Sequence, residues 1–409
     1  MRQAVPLSAL ALVVATVGLG PAAGGAPEGD IELVSVGHDG SPINGAVGEV
    51  DVSASGRYVV YSSGADNIVE NDLNSSFDVY LHDRRSGSTI SLTPGADGSS
   101  SQPRVSADGS RVVFVSTADS LVPATADNIS TPNVFVWSRD TGQVRQVDLD
   151  AAGEAPDSGG TTADISANGR HVAFTSLATD LVDRQVSGAQ HVYVRDLANN
   201  RTRVLDPTAD GDSSAPAIDA DGDRVAFVSG ADNLAPQQSA SHDTVVVWRR
   251  GKPFRNLTPA PSRSSGSPAI SGTGDKVAFT TAMPLRFADQ DTDEDIYYAD
   301  VRKGRTRLVS VGSEDGPDQS PSVSGDGRYV AFESSSDLAL ADSDGQLDGY
   351  VWAADRNQLR AVTGGAPGAS GSPALSGTGA VVAFTSDDLA FVPGDNNSFF
   401  DVFIRQLDN

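Results

Sequence analysis

The stretch Ser324-Gly325-Asp326-Gly327-Arg328-Tyr329-Val330-Ala331-Phe332 decides the fold, because close variants of it recur along the chain. There are seven copies, and each has a glycine followed five residues later by Tyr or Phe. The glycines are Gly56, Gly109, Gly169, Gly222, Gly274, Gly327 and Gly379, at spacings of 53, 60, 53, 52, 53 and 52 residues. A motif that returns at such a period is typical of a repeat architecture.

Each copy has the pattern of a β-hairpin. The glycine permits the positive φ angle of a tight turn, and the Val- and Phe-rich run after it alternates as a half-buried strand does. A strand precedes the turn, often with Ser-Pro, as at Ser320-Pro321. A third strand follows, as at Asp78 to Leu81, and a fourth, as at Thr306 to Ser310. Four strands form one propeller blade, so the sequence predicts an all-β, seven-bladed β-propeller.

The two ends of the chain complement each other. The seventh copy reaches Asn409 with only three strands, and an extra strand, Ile31 to Gly37, precedes the first copy. That strand matches the fourth strand of the fifth copy, Arg307 to Gly312. We therefore expect the N-terminal strand to complete blade 7 and close the ring, which also covers sheet edges that would invite aggregation.

Composition and the N-terminal segment predict where the protein works. Residues 1–27 have a basic start, a short apolar core and small residues, which is typical of a cleaved secretory signal; the alternative is an uncleaved anchor. Residues 28–409 then form the propeller. The net charge of −25 argues against nucleic acid and anionic membranes as partners. With no Cys, no disulfide framework is available. The sequence predicts a secreted or periplasmic monomer without a membrane span after cleavage.

The loops between the second and third strands of blades 5, 6, 7 and 1 share the pattern D-x-[DN]-x-x-x-D. Their candidate metal ligands are Asp289, Asp291, Asp293 and Asp295; Asp342, Asp344 and Asp348; Asp395, Asn397 and Asp401; and Asp72, Asn74 and Asp78. Closely spaced oxygen ligands suit Ca²⁺, and these blades are neighbours in a closed ring. The alternative is that they are turn residues that satisfy the loop backbone. We expect further acids, Asp148 and Asp318 among them, on the same rim.

The innermost strand of each blade offers a second candidate site. The residue five positions before the turn glycine is small or uncharged in blades 4 to 7, but blades 1, 2 and 3 have Asp51, Arg104 and Asp164. These residues predict either a charged binding pocket at the channel mouth or an ion pair between blades that holds the ring, since a buried charge normally has a partner.

Searches for catalytic motifs are negative in this sequence. It contains no G-x-S-x-G, H-E-x-x-H or Walker-type phosphate loop. The five histidines are scattered, and acidic pairs carry little specificity in so acidic a chain. No catalytic residue is assigned.

The repeat S-x-D-G-x-x-V-A-F, with a preceding S-P and a later D-V-Y-V-x-D, resembles the TolB-like propeller family from Ile31 to Asn409. TolB itself has six blades and an additional α/β domain, so its envelope role is not carried over. The resemblance is specific for the fold. Together with the acidic loops and the lack of catalytic motifs, it favours a non-catalytic binding or scaffold module that presents a calcium-binding acidic face to a protein or glycan at the cell envelope or outside the cell. Oligogalacturonate lyases have a similar propeller with a metal. They support the alternative, an extracellular lyase or hydrolase acting on a polysaccharide or peptide at the channel mouth.

Overall fold

The computed structural model describes residues 31–409 except 73, 123–130, 240, 260, 287–288, 290–291, 312–315, 337, 339–344, 364–366, 392–396 and 408–409. The predicted signal, residues 1–27, lies outside the described residues. The described part of the chain forms 28 β-strands and one 3₁₀ helix, Asp119–Leu121. Within it, no helix has both the length and the apolar character needed to cross a bilayer.

The strands follow one another in groups of four. Blade 1 contains β2 (Val47–Val52), β3 (Tyr58–Ser63), β4 (Asp78–Asp83) and β5 (Ser88–Ser91). Blade 2 contains β6 (Ser100–Val105), β7 (Arg111–Ser116), β8 (Asn133–Ser138) and β9 (Gln143–Gln146). Blade 3 contains β10 (Gly160–Ile165), β11 (His171–Ser176), β12 (His191–Asp196) and β13 (Arg201–Val204). Blade 4 contains β14 (Ser213–Ile218), β15 (Arg224–Ser229), β16 (Thr244–Arg249) and β17 (Arg255–Asn256).

The later blades repeat this plan. Blade 5 contains β18 (Ser265–Ile270), β19 (Lys276–Thr281), β20 (Asp295–Asp300) and β21 (Arg305–Leu308). Blade 6 contains β22 (Asp318–Val323), β23 (Tyr329–Ser334), β24 (Asp348–Ala353) and β25 (Gln358–Ala361). Blade 7 contains β26 (Ser370–Leu375), β27 (Val381–Ser386), β28 (Asp401–Gln406) and the N-terminal β1 (Ile31–Leu33). The prediction of seven four-stranded, antiparallel blades is confirmed.

The N-terminal strand completes blade 7, as the sequence predicts. The sheet order is β1-β28-β27-β26, and β1 runs antiparallel to β28 with Ile31 opposite Arg405. Regular pairing ends at Leu33, earlier than expected, because Val36 bridges to Pro42 within its own loop.

The hairpin turns of successive blades form a closed belt of backbone hydrogen bonds. The amide donors and carbonyl acceptors are Ala54 to Ala107, Ala107 to Ala167, Asn168 to Ala220, Ala220 to Gly272, Gly272 to Gly325, Asp326 to Gly377, and Gly377 to Ala54, at 2.9 to 3.2 Å. The last bond returns to the first blade. A Cβ at Gly377 would lie 2.8 Å from the Ala54 Cβ, so close approach of the turns requires glycine there.

The recurring parts of the repeat have direct structural roles. The motif's first side chain accepts a hydrogen bond from the amide five residues later, as in Tyr58 to Ser53 Oγ at 2.9 Å, and Asp219 does the same in blade 4. The repeat aromatics are fully buried between blades. In six blades they stack on an aromatic of the third strand, with ring centroids 5.5 to 6.1 Å apart. Stacking of this kind adds to the stability that burial provides.

Candidate functional site

The innermost strands of all seven blades line a central cavity of about 440 Å³. Each of these strands contains a β-bulge, since its register with the second strand shifts once. In five blades a proline follows the bulged residue; these prolines are Pro103, Pro216, Pro268, Pro321 and Pro373. Proline has no N–H, so it suits a strand edge that faces a channel rather than another strand.

The bulge shapes the channel wall. The residue before each of the five prolines has a positive φ; these residues are Gln102 (55°), Ala215 (48°), Ser267 (44°), Ser320 (51°) and Ser372 (50°). None is glycine, so each is in a conformation that L-residues seldom adopt. Backbone strain of this kind tends to cluster at ligand sites. The positions equivalent to these five in blades 1 and 3 hold Glu49 and Thr162, which lack both the proline and the positive φ.

Among the described residues that line the channel, charged side chains lie on one side only. Its ionisable lining residues from the first strands of blades 1 to 3 are Glu49, Asp51, Arg104 and Asp164. The positions equivalent to Asp51 in blades 4 to 7 hold Ala217, Ala269, Ser322 and Ala374. The structure therefore brings the three predicted channel-mouth residues to one wall, opposite a wall of small neutral residues.

Asp51 and Asp164 link blades through backbone amides. Asp51 Oδ2 accepts from Val105 N at 2.8 Å, across the boundary between blades 1 and 2. Asp164 Oδ2 accepts from Ile218 N at 2.8 Å, across the boundary between blades 3 and 4. Arg104 Nη1 donates to the Pro103 carbonyl at 3.0 Å and forms no ion pair within the described part of the chain. The inter-blade contact is thus carboxylate to amide, and no direct ion pair joins these three residues.

The three charges still influence one another. Burial raises the pKa of Asp164 to about 6, against the effects of its hydrogen bond from Ile218 and the Arg104 charge. Burial also raises the pKa of Asp51, and the Arg104 charge again acts in the opposite direction. The channel therefore holds a guanidinium without an ion-pair partner and a carboxyl group that can change protonation near neutral pH.

The acidic loop of blade 1 has internal partners for its side chains. The Tyr80 hydroxyl donates to Asp72 Oδ2 at 2.6 Å, and Asn74 Nδ2 donates to Asp78 Oδ2 at 2.9 Å. Thr93 Oγ1 donates to the other oxygen of Asp78. Since Asn74 presents its amide nitrogen to Asp78, calcium coordination by this loop would require these bonds to rearrange.

The other acidic loops show related contacts where the structure describes them. Donors to carboxylates are Tyr297 to Asp289 (2.6 Å), Ser310 to Asp295 (2.8 Å), Thr363 to Asp348 (2.6 Å) and Ser35 to Asp401 (2.7 Å). Asn397 Nδ2 donates to the Ile43 carbonyl at 3.2 Å, and Asp293 is half-buried. Asp291, Asp342, Asp344 and Asp395 lie outside the described residues. Among those described, no group of three or more His, Asp and Glu is arranged to hold a metal ion.

In several blades a hydrogen bond between two polar side chains joins the start of the third strand to the end of the fourth. The final Asp of the D-x-[DN]-x-x-x-D pattern is one member of this pair. In blades 1, 5 and 6 this Asp pairs with a Ser or Thr 15 residues later. Blades 2 and 3 have the acid two residues after the fourth strand instead, where Asp148 and Asp206 accept from the amides of Val134 and Val192 at 3.1 and 3.0 Å. This exchange went unrecognised in the sequence, although the 15-residue spacing could have shown it.

Two acids expected on the rim are in fact buried. Asp148 is fully buried, and its Oδ2 also accepts from Gly160 N at 2.7 Å. Asp318, the first residue of β22, is likewise fully buried. Both start or cap a strand, so their carboxylates face the interior rather than the solvent.

Comparisons with known proteins agree with the architecture. An oligogalacturonate lyase from Vibrio parahaemolyticus matches with a TM-score of 0.58 and 13% identity, over 94% of this chain and 99% of the lyase. The β-propeller domain of the Trilobed protease from Pyrococcus furiosus matches with a TM-score of 0.57 and 11% identity, over 89% of this chain and 98% of the domain. TolB from Acinetobacter baumannii matches with a TM-score of 0.44 and 14% identity over 77% of this chain, which spans 62% of TolB's length.

No protein-family model matches the chain, and no curated protein matches it by sequence. The structural matches are at identities that show the fold alone. The chain has the β-propeller fold that these lyase and protease structures share, and it forms seven blades with an N-terminal strand that closes the ring.

Proposed function

We propose that this protein is a non-catalytic binding module that receives a polar segment of a protein or glycan partner in its central channel. The observation that supports this function is the one-sided charge of the channel. Arg104 has no ion-pair partner among the described residues, and it lies in the same wall as Asp51 and Asp164. Because no carboxylate in the described part of the chain forms a direct ion pair with it, the Arg104 guanidinium has hydrogen-bond donors left for a ligand carboxylate.

The fixed carboxylates suit recognition of a ligand that also donates hydrogen bonds. Asp51 and Asp164 are each held by an amide of another blade. A preorganised carboxylate costs little ordering entropy when a ligand binds. Together with Arg104 they would complement a ligand with an ammonium or hydroxyl group and a carboxylate, such as a short peptide with both termini free.

Calorimetric titration with trialanine tests this function, with N-acetyl-trialanine amide as the uncharged control. We expect the zwitterionic peptide to bind more tightly than the blocked one. Arg104→Gln should weaken its binding by ~10-fold or more, because a charge-assisted hydrogen bond is lost. Arg302→Gln, at a highly exposed arginine, is the matched control and should change nothing. Equal heats for both peptides, or equal binding by both variants, would exclude this ligand class.

Calcium binding by the acidic loops is a second part of the proposal. Blades 5 and 6 have the most carboxylates in these loops, and a divalent cation would relieve repulsion in a chain of net charge −25. For a site of ~1 mM affinity, ~10 mM calcium would add about 1.4 kcal/mol of stability. Asp291→Ala combined with Asp344→Ala should remove that gain in thermal melting and leave any magnesium response. Identical melting in calcium, magnesium and chelator would contradict calcium binding.

An enzymatic function is the alternative, and one observation favours it. Asp164, with a pKa raised to about 6, can exchange a proton near neutral pH, as a general acid or base must. The oligogalacturonate lyases share the fold, and one has been solved with manganese. Incubation with oligogalacturonate and manganese, monitored for the absorbance of the unsaturated product, tests the lyase form of this alternative. Turnover that Asp164→Asn abolishes would establish the enzyme; no product would exclude this lyase activity.

A further inference from the structure

A second cavity, of about 550 Å³, lies between blades 3 and 4 and shares no lining residue with the channel. Its basic lining residues are Arg170, Arg201, Arg203, Arg250 and His171. Its acidic residues are Asp196, Asp221 and Asp223. Four arginines against three aspartates make this cleft basic, in a chain whose net charge is −25. We call it the inter-blade cleft.

The aspartates of the cleft are mostly engaged. Arg170 forms a bidentate pair with Asp196, with Nε and Nη2 at 3.1 and 2.8 Å from the two carboxylate oxygens. These hydrogen bonds hold the pKa of Asp196 well below its usual range. Arg250 lies 3.1 Å from Asp223, and both are exposed. Asp221 is exposed, so its charge is well solvated.

Arg203 is the half-buried guanidinium of the cleft, and the other three cleft arginines are exposed. It lies over the Trp248 ring at 5.0 Å, and Nη2 donates to the Gly222 carbonyl at 2.9 Å. Its Nε is buried without a hydrogen bond, and it has no ion pair within the residues that the structure describes. Burial and the nearby Arg250 charge lower its pKa. An arginine nevertheless stays protonated at neutral pH.

We propose that the inter-blade cleft is a binding site for an oxyanion carried on a sugar-sized ligand. Arg201 and Arg203 supply the charge that Asp196 and Asp223 do not neutralise, and stacking on Trp248 fixes the plane of the Arg203 guanidinium. A planar guanidinium binds carboxylate and phosphate groups with two parallel hydrogen bonds. The volume exceeds that of an inorganic ion, so the anionic group has room for the sugar that carries it.

The repeat supplies a matched control for Arg203. Arg307 occupies the equivalent position in blade 5, where it lies over Trp352 at 6.0 Å and donates to the Ala354 carbonyl at 2.8 Å. Arg307 is not among the residues that line the cleft. Replacement of either arginine removes a guanidinium from a Trp face and a hydrogen bond to the next blade. Only the replacement of Arg203 should affect a ligand in the cleft.

Calorimetric titration at constant ionic strength tests the site with glucuronate, with glucose as the matched neutral sugar, and with inorganic phosphate. We expect glucuronate to bind and glucose not to. Arg203→Ala should weaken glucuronate binding by ~10-fold or more, whereas Arg307→Ala should retain it. The same comparison in the Arg104→Gln background removes any contribution of the channel arginine to the heat. Arg201→Ala, at an exposed position, provides a second test if Arg203→Ala unfolds.

The titrations with glucuronate and phosphate identify which oxyanion the cleft takes. Binding of both supports a general oxyanion site. Binding of glucuronate alone assigns a carboxylate ligand, and binding of phosphate alone assigns a phosphate ligand. No heat from either anion would overturn the proposal. Equal binding by Arg203→Ala and Arg307→Ala would also overturn it, since the guanidinium would then act only as a link between blades.

Discussion

Individual residues of the repeat are predictable where burial alone decides their role. The sequence places Phe279 between blades, and the structure buries it completely against Tyr297, with ring centroids 6.1 Å apart. Individual charges were harder to place, because a carboxylate can point to solvent or to an amide of a neighbouring strand. Asp148 was expected on the rim, yet it caps Val134 and Gly160 in the interior.

Phe279→Ala should cost ~3–5 kcal/mol in the free energy of unfolding, as truncation of a buried Phe leaves a cavity. Urea denaturation gives this value directly. Ile90→Ala is a suitable control because Ile90 is 44% exposed, and it should cost under ~1 kcal/mol. A loss below ~1 kcal/mol for Phe279→Ala would contradict the strand register.

The buried carboxyl of Asp148 should make stability depend on pH. Burial raises its pKa from the ordinary value of 3.8 to about 6, so the folded chain binds this proton more tightly than the unfolded chain does. The contribution of Asp148 to stability therefore falls as pH rises from about 4 through about 6. Asp148→Asn removes this titration. We therefore compare the free energy of unfolding of Asp148→Asn with that of the parent protein at two pH values. The variant minus the parent should be ~2 kcal/mol larger at pH 8 than at pH 4.5. A difference that is constant with pH would contradict the burial of a titrating carboxyl.

At the scale of strands, the ends of β4 and β5 show why the acidic loops could not be interpreted from one loop alone. The D-x-[DN]-x-x-x-D pattern suits a metal and a turn equally well, and only the partner strand shows that Asp78 receives a hydrogen bond from Thr93. The sequence predicts strand positions well because period and turn chemistry are local. Side-chain partners across a sheet are not local, so they required the structure.

Thr93→Val tests the strand-end pair, with Thr258→Val as its matched control. Both hydroxyls accept from a backbone amide at 3.1 Å, but only Thr93 also donates to a buried carboxylate. Thr93→Val should therefore lower the free energy of unfolding by ~1 kcal/mol more than Thr258→Val does, because hydrogen bonds to charged groups are the stronger ones. Thermal or urea unfolding measures both losses. Equal losses for the two variants would show that the pair adds nothing beyond the amide contact.

At the scale of the whole molecule, the sequence predicts the number of blades and their closure because both follow from counting repeats. The channel site was only partly predictable. Asp51, Arg104 and Asp164 lie in one wall, and the contacts of the two carboxylates with Val105 and Ile218 depend on how blades approach each other. The inter-blade cleft went unrecognised, because its residues come from separate strands of two blades.

Closure of the ring depends on the N-terminal strand. Ile31 and Leu33 pair with β28, and the Ser35 hydroxyl donates to Asp401. Glu32 also forms an ion pair with Arg84 of blade 1 at 2.5 Å. This pair extends the closing strand beyond its own sheet, so removal of the strand should loosen both blade 7 and its boundary with blade 1.

Scanning calorimetry of two truncated chains, residues 31–409 and 38–409, tests the closed propeller most directly. The first keeps the closing strand and controls for loss of the N-terminal segment. The shorter chain exposes the edge of β28 and leaves Asp401 without its Ser35 donor. We expect its melting midpoint to fall by at least ~5 °C relative to residues 31–409. Equal midpoints for the two chains would contradict closure of the ring by the N-terminal strand.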